Sequence, residues 1–86
     1  MVQKGYNSDI NVRGKMFHVQ TEDWGDQNPF VVSRVFCNGA VIKTIKTPYD
    51  QLLKNGSLYM GEAVKNALKK QHSEILDKLL SGELTQ

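Results

Sequence analysis

Cysteine is almost absent from this chain: Cys37 is the only one among 86 residues. A lone thiol excludes an internal disulfide and a cysteine-based metal cluster. Long apolar runs are missing too. No segment approaches the length needed to cross a bilayer, and the opening MVQKGYNSDINV lacks the apolar core of a signal peptide. Excess charge of one sign is also lacking. Eleven Lys and Arg against nine Asp and Glu leave +2, too weak by itself to imply nucleic acid or an anionic membrane. No Gly-rich phosphate loop, serine elbow, paired-carboxylate motif or H-E-x-x-H helix occurs. These absences set the expectations: a cytoplasmic protein with no membrane association, no enzyme activity, no catalytic or metal-binding residues and no cofactor.

What is present describes a folded domain. A hydrophobic content of 40% with 23% charged residues is ordinary for a globular chain and unlike a disordered one. So short a chain has room for one modest core, and dimerisation is a common source of extra burial. Residues 1–8 read as a flexible lead-in, 9–82 as a single α+β domain, and 83–86 as a tail.

Two hairpins are legible. In the first, Gly14-Lys15 form the loop, with Gly14 at the positive-φ position of a type II′ turn. Val12 then faces Phe17 and Ile10 faces Val19, while Asn11 faces His18 and Arg13 faces Met16. In the second, Asn38-Gly39 is a strong type I′ signal between strands over 30–37 and 40–47. That register pairs Val35 with Ile42 and Cys37 with Ala40 on one face. Phe36 with Val41 and Val32 with Ile45 fall on the other. Both faces of the sheet carry large apolar groups, so each asks for cover.

The helices follow. Thr47 reads as an N-cap, Pro48 as the first helical residue and Asp50 as a carboxylate near the positive helix end, with a stop at Asn55-Gly56. Ser57 caps a second helix over 58–80, closed by Ser81-Gly82. Met60, Val64, Ala67, Leu68, Gln71, Ile75 and Leu79 follow the three/four spacing of a packed face. The expected fold is therefore a four-stranded antiparallel meander followed by a short helix and a long C-terminal amphipathic helix. Such a helix extends roughly 34 Å at 1.5 Å per residue, beyond the ~17–20 Å of a typical strand. Its far end, with Ile75, Leu76, Leu79 and Leu80, then needs cover from a second subunit, and a homodimer is expected.

The stretch FHVQTEDWGDQNP, 17–29, holds the densest chemistry. On a strand His18, Gln20 and Glu22 point the same way, but His18 and Glu22 lie about 13 Å apart at ~3.3 Å per residue, too far to share a metal or a proton. His18 is most simply a sheet-face histidine paired across to Asn11. Glu22, Asp23 and Asp26 lack calcium-loop spacing and read as a solvated acidic connector shaped by Gly25 and Asn28-Pro29. Trp24 either tucks over the sheet edge or marks a binding surface. Arg34 and Lys43 are expected opposite each other on one face, with Glu22 or Asp23 able to neutralise them. Arg34, Lys43 and Lys46 form the candidate basic surface, and nucleic acid would need aromatics interleaved with them. His72 lies on the long helix without a sequence-local metal partner. Cys37 reads as a packing residue.

The segments Arg13–Asp23 (RGKMFHVQTED), Pro29–Ile42, Thr47–Tyr49 and Gln71-His72 together resemble a family of short uncharacterised bacterial proteins, over residues 10–83. The resemblance implies no established activity. It adds weight to 18–23 as a surface with a shared role, and to an adaptor role of the kind found in bacterial polarity or motility systems. The function expected is a non-enzymatic protein–protein interaction module, working as a homodimer on an unidentified protein partner through His18, Gln20, Glu22, Asp23 and Trp24. A nucleic-acid-binding domain is the second reading, and a small enzyme with its site at the dimer interface the third.

Overall fold

The computed structural model describes residues 5–25, 27–52 and 60–84. Four strands, β1 (Gly5–Val12), β2 (Lys15–Asp23), β3 (Phe30–Cys37) and β4 (Ala40–Pro48), form an antiparallel meander in the order β1-β2-β3-β4. A short helix α1 (Tyr49–Leu52) and a long helix α2 (Met60–Ser81) follow. The α+β meander expected from the sequence is the observed fold, and α2 covers one face of the sheet.

The pleat sorts the side chains. Phe17, Val19 and Thr21 on β2, and Val31, Ser33 and Val35 on β3, are buried on the face toward α2. Val64, Leu68, His72, Ile75 and Leu79 answer from the helix at three/four spacing. Two apolar clusters result. One joins Phe17, Val19 and Val35 to Ile75 and Leu79, with Ile10, Val12, Cys37 and Ile45 packed around it. The other joins Val31 and Tyr49 to Val64 and Leu68. Each fully buried side chain of this size contributes about 1.5–3 kcal/mol. The Met60 side chain, expected on the same face, lies outside the described residues.

Five details differ from expectation. The first strand begins at Gly5, so Gly5–Ser8 belong to the sheet and are no lead-in. Gly5 is tightly seated there, because a Cβ would lie 2.6 Å from the Thr21 carbonyl oxygen.

The first turn is Arg13-Gly14, with φ 54° and 87°, a type I′ geometry that suits the right-handed strand twist. The pairing is therefore Val12 with Lys15, Ile10 with Phe17 and Asp9 with His18. The slip is two residues, so every side chain keeps its face while His18 changes partner.

A β-bulge at Val35/Phe36 is the third difference. Asn38-Gly39 does form a two-residue loop, with Cys37 opposite Ala40 and Phe36 opposite Val41. Beyond these, Val35 faces Lys43, Arg34 faces Thr44 and Val32 faces Lys46. Ile42 is the extra residue. Without it Ile45 and Thr47 would point away from α2. With it Ile45 packs on the core and Thr47 reaches Gln71. Arg34 and Lys43 are consequently not opposed.

Fourth, Pro48 ends β4 opposite Phe30, and α1 starts at Tyr49. An edge strand tolerates proline at its end. The Thr47 hydroxyl donates to Gln71 Oε1. The expected stop at Asn55-Gly56 and cap at Ser57 lie outside the described residues.

The last concerns overhang. Strands of 8 and 9 residues span about 26–30 Å at ~3.3 Å each, close to the roughly 33 Å of α2. Ile75 and Leu79 are thus buried by their own sheet, with Leu76 partly buried beside them, and of the four expected to need cover only Leu80 is largely exposed. Gly82, at φ 84°, ends the helix, its N–H donating to the Leu79 carbonyl, and Leu84 folds back on the core.

Candidate functional site

Polar residues interrupt the covered face at one level, between the two apolar clusters. Thr21 and Ser33 are cross-strand partners, both fully buried, and their hydroxyls lie 2.7 Å apart. His72 Nδ1 is 2.8 Å from Thr21 Oγ1, and His72 Nε2 is 2.8 Å from Ser8 Oγ. Gln71 Nε2 donates to Ser33 Oγ at 2.7 Å, and Thr47 Oγ1 donates to Gln71 Oε1 at 2.5 Å. One hydrogen-bonded belt therefore ties α2 to all four strands. Among the described residues no buried side-chain nitrogen or oxygen lacks a partner, as a buried polar layer requires.

Counting protons orders the belt. Ser33 accepts from Gln71, and the order that gives the Ser33 proton an acceptor within the belt runs from Ser33 to Thr21. In that order Thr21 donates to His72 Nδ1, and the matching tautomer of the neutral ring donates from Nε2–H to Ser8. The belt is matched to a neutral imidazole. Burial also holds His72 below its ordinary value, and the charge of His18 acts in the same direction.

Ser8, His72 and Thr21 have the distances of a nucleophile, a base and an orienting group. The third member is a hydroxyl rather than a carboxylate. The grooves lined by Met16 and Phe36, and by Glu74 and Asp77, include none of the three. Their hydrogen bonds join α2 to β1 and β2. The belt was legible only as a coincidence: polar Thr21, Ser33 and Gln71-His72 fall at the same step of otherwise apolar series.

The opposite face of the sheet has no helix over it among the described residues. His18, Gln20 and Glu22 share it, as their spacing implies. His18 Nδ1 lies 2.8 Å from Asp9 Oδ1, and its ring packs at 5.8 Å from that of Phe36. Asp23 parts from this group. It turns to the covered face, where it accepts from the Tyr49 hydroxyl and from the Gly25 N–H. Its carboxylate closes the β2–β3 connection and is engaged there.

Trp24 folds back onto the outer face, its backbone N–H donating to the Phe30 carbonyl at 3.0 Å. Arg34 Cζ lies 5.5 Å and Lys46 Nζ 5.0 Å from the centre of its ring, with Lys46 also 5.8 Å from the ring of Phe30. These are cation–π distances. Val32, between Arg34 in sequence and Lys46 across the strands, is 1% exposed. Trp24 is thus tucked against the sheet and half-buried. Of the candidate basic residues, Arg34 and Lys46 meet at this ring. Lys43 does not, since the bulge aligns it with Val35.

At the hairpin end of the same face Met16 and Val41 are about half-exposed, and the bulge residue Ile42 next to Val41 is about half-exposed too. Met16, Phe36, His18 and Gln20 line a shallow groove of about 460 Å³. Sequence reading missed this patch because Val41 and Phe36 look like core when cover is assumed for both faces. Among the described residues no group of three His, Cys, Asp or Glu side chains could hold a metal, and no helix is long and apolar enough to cross a membrane. No family model, curated protein or solved structure matches the chain.

Proposed function

We propose that this chain is a non-enzymatic interaction module, working as a homodimer in the cytoplasm, that holds a partner protein on the outer face of its sheet. One observation carries the reading. Met16 and Val41 stay exposed on either side of Phe36 on a face with no described covering element, and Met16 and Phe36 line a groove there with His18 and Gln20. An apolar patch with a polar rim is the usual anatomy of a docking surface. Trp24 extends the same face as a rigid aromatic.

The test is capture from the native cell with wild type, Val41→Lys and Trp24→Ala. Val41 is half-exposed on an edge strand, so a lysine there changes stability by no more than about 0.5 kcal/mol. We expect Val41→Lys to lose the partner and Trp24→Ala to weaken it. Equal recovery with all three chains would reject the outer face.

A second reading, single-stranded nucleic acid, is favoured by Arg34, Lys46, Trp24 and Phe30 lying together, a basic surface with aromatics interleaved. Its signature is affinity that falls steeply with salt. Anisotropy of a labelled oligonucleotide unchanged on adding protein at low salt would dismiss it.

A further inference from the structure

The two edges of the sheet differ. β4 carries the usual devices that stop strands from joining: a bulge at Ile42, Lys43 and Lys46, and a terminal proline. β1 carries none of these. Over Gly5–Val12 it has no lysine, no proline and no register shift against β2. We propose that β1 is the homodimer interface, pairing antiparallel with β1 of a second copy about a two-fold axis at Ser8. This rests on the homodimer reading above and adds the surface and the register.

The hairpin fixes which backbone groups are available. In a two-residue type I′ hairpin the flanking residues, Val12 and Lys15, exchange hydrogen bonds. Ile10, Ser8 and Tyr6 therefore also bond to β2, and Gly5, Asn7, Asp9 and Asn11 direct their N–H and C=O groups outward. Only registers that join these odd residues satisfy the edge. Centring the axis on Asp9 would oppose two like carboxylates, which is destabilising. Centring it on Asn7 shortens the overlap. With the axis at Ser8, Asn7 faces Asp9 of the second copy twice, amide against carboxylate. Gly5 faces Asn11, and roughly eight backbone hydrogen bonds form.

The covered side agrees. In this register Tyr6, 38% exposed, lies opposite Ile10 of the second copy. His72 reaches β1 while Gln71 reaches toward β3 and β4. Leu76 and Leu80 follow His72 at four-residue steps, on the flank of α2 nearest the open edge. Leu80 is 54% exposed. The joined sheet has eight strands, with both long helices on one side and both outer faces free.

Sedimentation equilibrium of wild type and Asn7→Pro, with amide exchange of wild type, tests this. Proline at position 7 removes an outward N–H only, which an edge strand tolerates. The expected result is a dimer for wild type, at least tenfold weaker association for Asn7→Pro, and slow exchange at the Asn7 and Asp9 amides of wild type. A wild-type monomer would overturn both this proposal and the homodimer reading. A wild-type dimer whose Asn7 and Asp9 amides exchange rapidly would overturn the β1 interface alone, whether or not Asn7→Pro folds. Protection of those amides only when another protein is added would give the edge to a different chain.

Discussion

His72 shows most clearly how one residue couples sequence to stability. Its two ring nitrogens each meet a hydroxyl at 2.8 Å, and the proton order of the belt leaves no place for a second N–H. A proton on Nδ1 would force Thr21 to turn its hydroxyl toward Ser33, whose own proton already points back. Burial adds to this penalty, so the folded imidazole binds its proton more weakly than the unfolded one, whose value is about 6.5. The sign follows from linkage. Above about pH 6.5 both states are neutral at this position and the contribution is complete. As the pH falls the unfolded chain takes up the proton first, so stability is lost until the pH passes below the depressed folded value. Urea unfolding at pH 7.5 and pH 5 should therefore show a larger loss for wild type than for His72→Gln. Parallel pH profiles for the two proteins would contradict it.

Element boundaries depended on what the elements pack against. Asn38-Gly39 and the alternation of 30–37 were enough to read the second hairpin, because the turn demands positive φ at two adjacent positions. Arg13-Gly14 was hidden because arginine rarely takes φ 54°. The bulge at Ile42 was hidden because nothing local marks it. Its cause is distant: Ile45 belongs on the core and Thr47 belongs on Gln71. The helical face was legible from its spacing, but the length of the strands beneath it was not. Since that sheet covers Leu79 completely, Leu79→Ala should cost about 2–5 kcal/mol by urea unfolding, even at concentrations where the protein is monomeric. A change under 1 kcal/mol would mean that the cover comes from elsewhere.

At the scale of the whole molecule, the described residues give the sheet one face closed by α2, one face with no helix over it, and an edge strand, β1, without lysine, proline or bulge. The proposed partner surface and the proposed self-association surface are therefore separate. Val41→Lys should lose the partner and keep the dimer mass, while Asn7→Pro should lose the dimer and leave the outer groove intact. Sedimentation and capture on the same samples check both at once. If either substitution abolished both properties, the surfaces would be one.

The sequence by itself determined the order of elements, the α+β class and the apolar stripes, because turn chemistry and hydrophobic period act over a few residues. It also brought His18, Gln20 and Glu22 onto one face, since a strand alternates whatever surrounds it. Only the tertiary structure decided the fate of the rest. Asp23 went to Tyr49, Trp24 to Arg34 and Lys46, and Gln71 and His72 to a belt across four strands. Those partners lie 10 to 64 positions away in the chain. Hydrogen bonds and ring contacts at that separation are set by register and packing, which no local pattern encodes.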